Sequence, residues 1–389
     1  MKILILGAGI YQVPLIKKAK EMGLYTIVCS IEGNYPGFAF ADQVYYVNTT
    51  DIEGCLSVAE REQIDGVCTT GTDVALPALG AIVDRFNLKG PSYKSAVLSA
   101  DKREMKDAFV RSGVSTANFR KIESSIEGLS AAEEIGYPVI LKVTDNSGSR
   151  GICVVRDRSE FENAYHSVLP YTKKAYILVE KYLEGHEYGA QALVSNGRVL
   201  FVMPHGDIVF QGKTGVPVGH YVPYKISSEL EKDTVSQVER AIKALGIDNA
   251  AVNADLIECN GRAYVLEIGA RVGATCLPEI VSQYYGIDYY EMILKISLGL
   301  AFEEKFIPQC ACVAELITSE IDGVIKKYNT NIIHPNLLQY SMDYPVGFKV
   351  KRFSVGPDRI GQVITFGKTL EDSQKFMSEI MKSIELIVE

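Results

Sequence analysis

Hydrophobic and polar positions alternate in two different rhythms along this chain, and the change of rhythm divides it. From residue 1 to about 95, short apolar runs at Ile3–Leu6, Tyr25–Cys29 and Gly66–Thr69 are separated by stretches with helical periodicity, around Tyr11–Met22 and Asp51–Glu62. Strand and helix in alternation imply a parallel sheet. From Asp101 the texture changes. Asp101-Lys102-Arg103-Glu104-Met105-Lys106 opens a helix that runs to Ser112-Gly113. Gly136-Tyr137-Pro138 then introduces the apolar run Val139–Val143, and a Gly/Ser segment leads into Ile152–Val155. The tail from about Phe306 carries strands at Ala311–Ile317 and Ile360–Phe366 and a helix at Leu370–Ile384. We expect a mixed α/β and α+β chain: an N-terminal parallel-sheet domain over 1–95, a central domain over 96–305 with a mobile lobe at about 114–184, and a small α+β domain over 306–389.

The most informative stretch is Ala251–Arg271, two apolar runs around the turn signal Asn260-Gly261, which reads as a β-hairpin. Each run carries one acid, Asp255 before the turn and Glu267 after it. Carboxylates within apolar strands are costly to desolvate and call for a positive partner. With a loop of only Asn260-Gly261 the two acids would point to opposite faces, because side chains alternate with period two. A loop of three or five residues places them opposite each other, with Cβ atoms about 4.5–5.5 Å apart. We therefore expect the longer loop and an acid pair suited to a hard cation such as Mg²⁺. An ordinary edge hairpin with solvent-facing acids is the competing reading.

Composition removes several classes of function. The 389 residues exceed what one core usually organises. Forty Lys and Arg against 48 Asp and Glu leave a net charge of −8, and no basic run stands out, which argues against nucleic acid or an anionic membrane as partner. Eight cysteines are scattered without a Cys-x-x-Cys pair, alongside five histidines; reduced thiols in a cytoplasm fit this pattern, and a zinc site does not. The first apolar run is too short for a signal peptide, and no stretch reaches the length of a membrane span. A cytoplasmic protein is expected.

Several shorter signals carry candidate chemistry. Gly7-Ala8-Gly9-Ile10-Tyr11-Gln12 begins like a dinucleotide fingerprint, with Glu32 near the place of a ribose-binding acid, but Gln12 stands where the third glycine belongs; a tight turn without a dinucleotide is the preferred reading. Lys142 lies inside an apolar strand, where a snorkelling edge residue is the bland alternative. It is followed by Asp145-Asn146-Ser147-Gly148-Ser149-Arg150-Gly151, whose backbone N–H groups and hydroxyls can close over a phosphate chain as a flap between two strands. Tyr176–Tyr188 then offers an apolar strand ending in Glu180-Lys181-Tyr182-Leu183, with Glu187 just beyond, the parts needed to read an adenine edge and hold ribose hydroxyls.

Taken in order, Lys102, Lys142, the Gly/Ser flap, the Glu180–Leu183 hinge with Glu187, then Asp255, Glu267 and Arg271, the chain resembles the ATP-grasp superfamily over nearly its whole length. The resemblance implies an ATP-grasp fold behind an N-terminal parallel-sheet domain. It implies that Lys102 and Lys142 contact ATP phosphates with Ser147, Gly148 and Ser149, that Glu180, Lys181, Tyr182 and Leu183 hold adenine and Glu187 ribose, and that Asp255 and Glu267 ligate Mg²⁺ or Mn²⁺. Arg271 would face the acyl phosphate or the carboxylate substrate, with Lys142 beside it in catalysis. One departure stands out: the family usually has Asn two residues after the second acid, and this chain has Gly269. Gly219-His220-Tyr221-Val222-Pro223 is similar to the Gly-His-x-x-Pro region of the superfamily's amino-acid ligases and makes His220 a substrate candidate, ahead of His205 and His186. Gly361–Gly367 with the helix after it resembles the closing domain of the same ligases and suggests packing, dimerisation or substrate enclosure.

The expected function is an ADP-forming ligase that activates a carboxylate as an acyl phosphate on Mg-ATP and couples it to an amine, an amino acid foremost. Its partners would be small molecules, and a homodimer is expected. A purine-pathway or bicarbonate-activating enzyme, a nucleotide binder without turnover, and an NAD(P) oxidoreductase built on Gly7-Ala8-Gly9 are the alternatives, in that order.

Overall fold

The computed structural model describes residues 1–144, 151–210 and 216–389. Among these the strands form four sheets. The first is parallel and built from β1 (Lys2–Leu6), β2 (Tyr25–Ser30), β3 (Gln43–Tyr46) and β4 (Gly66–Cys68), in the order β3-β2-β1-β4. Its strands are short and apolar because helices bury them; Ile3 through Leu6 have no exposed surface. Chain order reverses between β1 and β4, so the loops leaving their carboxyl ends, Gly7–Gln12 and Thr69–Asp73, flank the crevice where such sheets receive ligands. Gln12 folds its amide back over the glycine turn, taking the Gly9 N–H at 2.8 Å and donating to the Thr70 carbonyl. That N–H is therefore committed within the protein.

The second sheet is antiparallel, in the order β5 (Phe119–Ile122), β8 (Ile177–Lys181), β6 (Val139–Lys142) and β7 (Ile152–Val155). Helices Ser125–Ile135 and Phe161–Val168 supply Ala131, Ala132, Phe161 and Ala164 to its core with Val139, Leu141 and Val179. The segment joining β6 to β7 includes Ser147, Gly148 and Ser149, which lie outside the described residues.

The third and largest sheet runs β13 (Arg262–Gly269), β12 (Ala250–Cys259), β9 (His186–Ser195), β10 (Arg198–Val209) and β11 (Pro217–Val222). It then continues into the tail. Of β14 (Ala311–Ile317), β15 (Gly323–Tyr328), β16 (Leu337–Met342), β17 (Lys349–Val350), β18 (Gly361–Gly367) and β19 (Leu386–Val388), β14 pairs with β11 and extends the sheet through β18 to β16. Strands β15, β17 and β19 make the small fourth sheet. The sheet therefore crosses residue 306 without a break. Among the described residues no helix is long and apolar enough to cross a membrane.

The hairpin of β12 and β13 corrects one expectation. The loop is the short one: Cys259 pairs with Arg262, and Asn260 and Gly261 both take the positive φ, 53° and 74°, that a two-residue hairpin turn requires. Asp255 nevertheless faces Glu267, because the register shifts between Asp255 and Leu256, where Leu256 pairs with Val265 and Leu266 is the extra residue. A β-bulge changes the parity inside the strand, the same correction that a longer loop would have made at its end.

Phe161 fills the core of the second sheet with no exposed surface. Replacing it by Ala is expected to cost about 3–5 kcal/mol, read as a lower urea midpoint.

Candidate active site

The paired acids form the floor of a charged cleft. Asp255 is accessible at its surface but enclosed by protein on its other sides. That enclosure, and then the neighbouring Glu267 and Asp207, raises its carboxyl to about 6. Asn253 Nδ2 donates to Asp255 Oδ1 at 3.0 Å. Glu267 Oε1 accepts from Lys102 Nζ at 3.0 Å. Lys102 is the first residue of the helix Lys102–Arg111, and Asp101 caps that helix by accepting from Arg103 N and Glu104 N at 2.9 and 3.1 Å. Burial pulls the Lys102 ammonium down, but Glu267, Asp73 and Asp255 together leave it above its ordinary value.

Arg271 comes from the segment just after β13. Its Nη2 donates to Asp73 Oδ2 at 2.5 Å, which ties the crevice of the first sheet to the acid pair. Burial opposes the charge on Arg271, and Asp73, Asp255 and Glu267 more than restore it. Asp73 Oδ1 is buried with no hydrogen-bond partner among the described residues, and a Cβ on Gly269 would stand 2.8 Å from it. The space that a side chain at 269 would occupy is therefore held by a carboxylate from another part of the chain.

A second cluster lies inside the cleft wall. Glu180 is 1% exposed, and its Oε2 is 3.1 Å from both Lys106 Nζ and Lys142 Nζ. Burial would push this carboxyl up, but the two ammonium groups hold it below its ordinary value. Burial also pulls Lys106 down, against the attraction of Glu180. Lys106 was not singled out in the sequence. It lies four residues after Lys102 on the same helix, the spacing that puts two side chains on one face, and this was the available signal. Lys181 turns away and donates to the carbonyls of Gly136 and Tyr137 at 2.9 and 3.1 Å. Tyr182 N donates to the Pro138 carbonyl at 3.1 Å. Leu183 is half-buried, and Glu187 is exposed on β9 opposite Ile257.

His220 is buried and its Nδ1 is 2.7 Å from Asp207 Oδ1; His205 Nδ1 approaches the same oxygen at 3.1 Å. Burial would raise the Asp207 carboxyl, but His220 and His205 hold it well below the carboxylate range. Gln191 Nε2 lies 3.3 Å from His205 Nε2 and donates to Asn253 Oδ1 at 2.6 Å. A hydrogen-bonded chain thus connects His220 to Asp255. Asp207, Gln191 and Asn253 went unread in the sequence; the Asn253/Asp255 spacing on one strand face was the only local hint.

Chemically, two opposed carboxylates, one raised partly by the other's charge, can hold a hard cation such as Mg²⁺ or Mn²⁺. The lysines and Arg271 around them suit a polyanion. Residues 135–279 match the family model described as ATP-grasp domain. The crystal structure of phosphoribosylglycinamide synthetase from Anaerococcus prevotii superposes with a TM-score of 0.88 at 34% identity, covering 100% of this chain and 99% of that one. The chain belongs to the ATP-grasp family. Among curated ATP-grasp relatives, carbamoyl phosphate synthase large chain from Clostridium beijerinckii is 24% identical over 78% of this chain, and alanine–anticapsin ligase from Bacillus subtilis is 23% identical over 67%. The aligned parts span 30% and 61% of those two proteins.

Two outcomes follow from the charges. Glu180→Gln leaves the buried Lys106 and the half-buried Lys142 without their countercharge and should cost about 3–5 kcal/mol of stability, measured by urea unfolding. The folded-state pKa of Asp255, about 6, lies above that of the unfolded chain. The folded protein therefore keeps a proton that the unfolded chain releases, and this group's contribution falls as pH rises through that window. In metal-free protein, the Tm gained by Asp255→Asn should grow from about pH 4 to pH 6 and stay constant above it.

Proposed function

We propose that this ATP-grasp protein is an ADP-forming ligase that activates a carboxylate as an acyl phosphate and couples it to an amine, with an amino acid among its substrates. The observation that carries this reading is the convergence of Lys102, Arg271 and the opposed Asp255 and Glu267 on one cleft. A carboxylate attacking the γ-phosphate of ATP meets charge repulsion of about 4 kcal/mol per unit pair at 4 Å and an effective ε of 20. Phosphoryl transfer of this kind needs positioning and charge neutralisation more than a protein nucleophile.

In this reading Lys102 and Lys142 hold ATP phosphates, a role that the resemblance extends to Ser147, Gly148 and Ser149. Lys106 and Glu180 keep Lys142 in place, and the backbone of Glu180–Leu183 presents donors and acceptors to adenine, with Glu187 toward ribose. Asp255 and Glu267 would hold Mg²⁺ or Mn²⁺, which when bound neutralises phosphate charge. Arg271, aimed by Asp73, faces the acyl phosphate or the carboxylate that forms it. Loss of phosphate then completes the amide as the amine attacks. His220, held by Asp207, belongs to the substrate side. Small-molecule partners, a homodimer, and units at 1–95, 96–305 and 306–389 are parts of the same proposal.

A purine-pathway or bicarbonate-activating ligase is the second reading, supported by the 34% identity to the phosphoribosylglycinamide synthetase structure and the likeness to carbamoyl phosphate synthase. One assay separates them. ADP release from Mg-ATP is measured across amino acids, simple carboxylates, bicarbonate and ribonucleotide amines, singly and in pairs. ADP that requires an amino-acid pair, and falls at least about 100-fold in Glu267→Gln, is the expected result. Dependence on bicarbonate or a ribonucleotide amine would select the second reading, and ATP binding without ADP under any pair would leave a binder.

A further inference from the structure

Among the described residues, a cavity of about 520 Å³ contains none of the residues assigned to ATP or the cation. Three distant parts of the chain line it: the loop after β1 through Tyr11, the segment entering the helix Leu277–Tyr285 and its first turn through Thr275 and Glu279, and the tail through Asp343 and Arg359. Its volume is that of a small-molecule site. Tyr11 comes from the loop at the β1/β4 reversal of the first sheet, the place where such sheets take ligands. The segment Gly273–Cys276, part of its lining, begins two residues after Arg271, the group proposed to face the carboxylate.

Its charges are unequal in their partners. Arg359 is turned to protein partners: Nε and Nη2 donate to the two oxygens of Asp343 at 2.7 and 3.2 Å, and Nη2 also donates to Gln362 Oε1 at 2.6 Å. Glu279 is not. Its Oε1 accepts from the Tyr290 hydroxyl at 2.9 Å, while its Oε2 is buried with no hydrogen-bond partner among the described residues. The Tyr11 hydroxyl is buried and unpartnered in the same way. A buried carboxylate oxygen left open is costly unless a donor arrives to meet it. The wall beside it is strained, since Thr275, a β-branched residue, has φ 53° and Cys276 has φ 66°. Backbone held in that region accumulates at ligand sites, where surrounding structure enforces it.

We propose that this cavity binds the protonated amino group of an α-amino acid substrate, with the Glu279 carboxylate as its countercharge and the Tyr11 hydroxyl as a further contact. An ammonium supplies the donors that Glu279 Oε2 lacks, while the cations of the wall are turned to protein partners: Arg359 to Asp343 and Gln362, Lys18 to Glu21 and Asp288, and Lys17 to the Phe40 ring. The substrate class rests on the ligase reading, but the binding is measured without turnover.

The test is calorimetric titration of the full chain, loaded with Mg²⁺ and a non-hydrolysable ATP analogue, with each of the protein L-amino acids and with the N-acetyl forms of those that bind. Binding of at least one amino acid, lost on N-acetylation and weakened about tenfold or more in Glu279→Gln with analogue affinity unchanged, is the expected outcome. Tyr11→Phe, expected to weaken the same amino acid severalfold, carries the test if Glu279→Gln does not fold. The assignment is overturned if no amino acid binds the wild type, if N-acetyl forms bind equally well, or if the folded variant binds as tightly as the wild type. Failure of the ligase reading looks different: Glu279-dependent amino-acid binding would persist while no ADP is released.

Discussion

Repulsion between Asp255 and Glu267 is the constraint around which the cleft is arranged. The two strands bring like charges face to face, and in water-poor surroundings that is unfavourable unless positive charge is nearby. Lys102 meets Glu267 directly, and Arg271 acts on both acids while held by Asp73. Each of these cations comes from a different stretch of chain, so the charge balance is complete only when the first sheet, the helix Lys102–Arg111 and the hairpin are assembled. In the free protein the balance is imperfect, as the raised carboxyl of Asp255 records. A site left short of positive charge on its acids is suited to a cation.

The same logic is repeated, with a different result, in the wall of the cleft. Glu180 sits between Lys106 and Lys142, and its charge works against the burial that pulls the Lys106 ammonium down. Its side chain is thereby engaged with the two lysines. Lys181, bonded to two carbonyls, is likewise committed inward. The third charged group, Asp207 between His205 and His220, reaches Asp255 through Gln191 and Asn253, so His220 and the acid pair share one hydrogen-bonded network. Networks of this kind hold several side chains in one arrangement, because each member fixes its neighbour's orientation.

Gly269 illustrates how a departure from family pattern can be absorbed elsewhere. The volume above it is filled by Asp73 from the loop after β4. An oxygen donor thus still stands over that position, although it belongs to the first sheet and is shared with Arg271. The exchange makes the contact between the N-terminal crevice and the hairpin part of the site itself.

Much of this protein could be read from residue order alone. Periodicity separated the parallel sheet from the antiparallel ones, because strand and helix repeats of two and 3.6 residues are local properties. Lys142, Asp255 and Glu267 stand out as charges inside apolar runs, where burial makes charge conspicuous, whereas Lys102 and Arg271 are singled out only by the resemblance to the family. What the sequence could not supply was parity and distance. Whether Asp255 faced Glu267 depended on a bulge at Leu266 rather than on the turn, and nothing local distinguishes one extra residue in a strand from one in a loop. The pairing of Lys106 with Glu180, of Asp73 with Arg271, and the cavity closed by Tyr11, Glu279 and Arg359 joins residues far apart in the chain. Those contacts are set by how the sheets pack, and only the tertiary structure decides them.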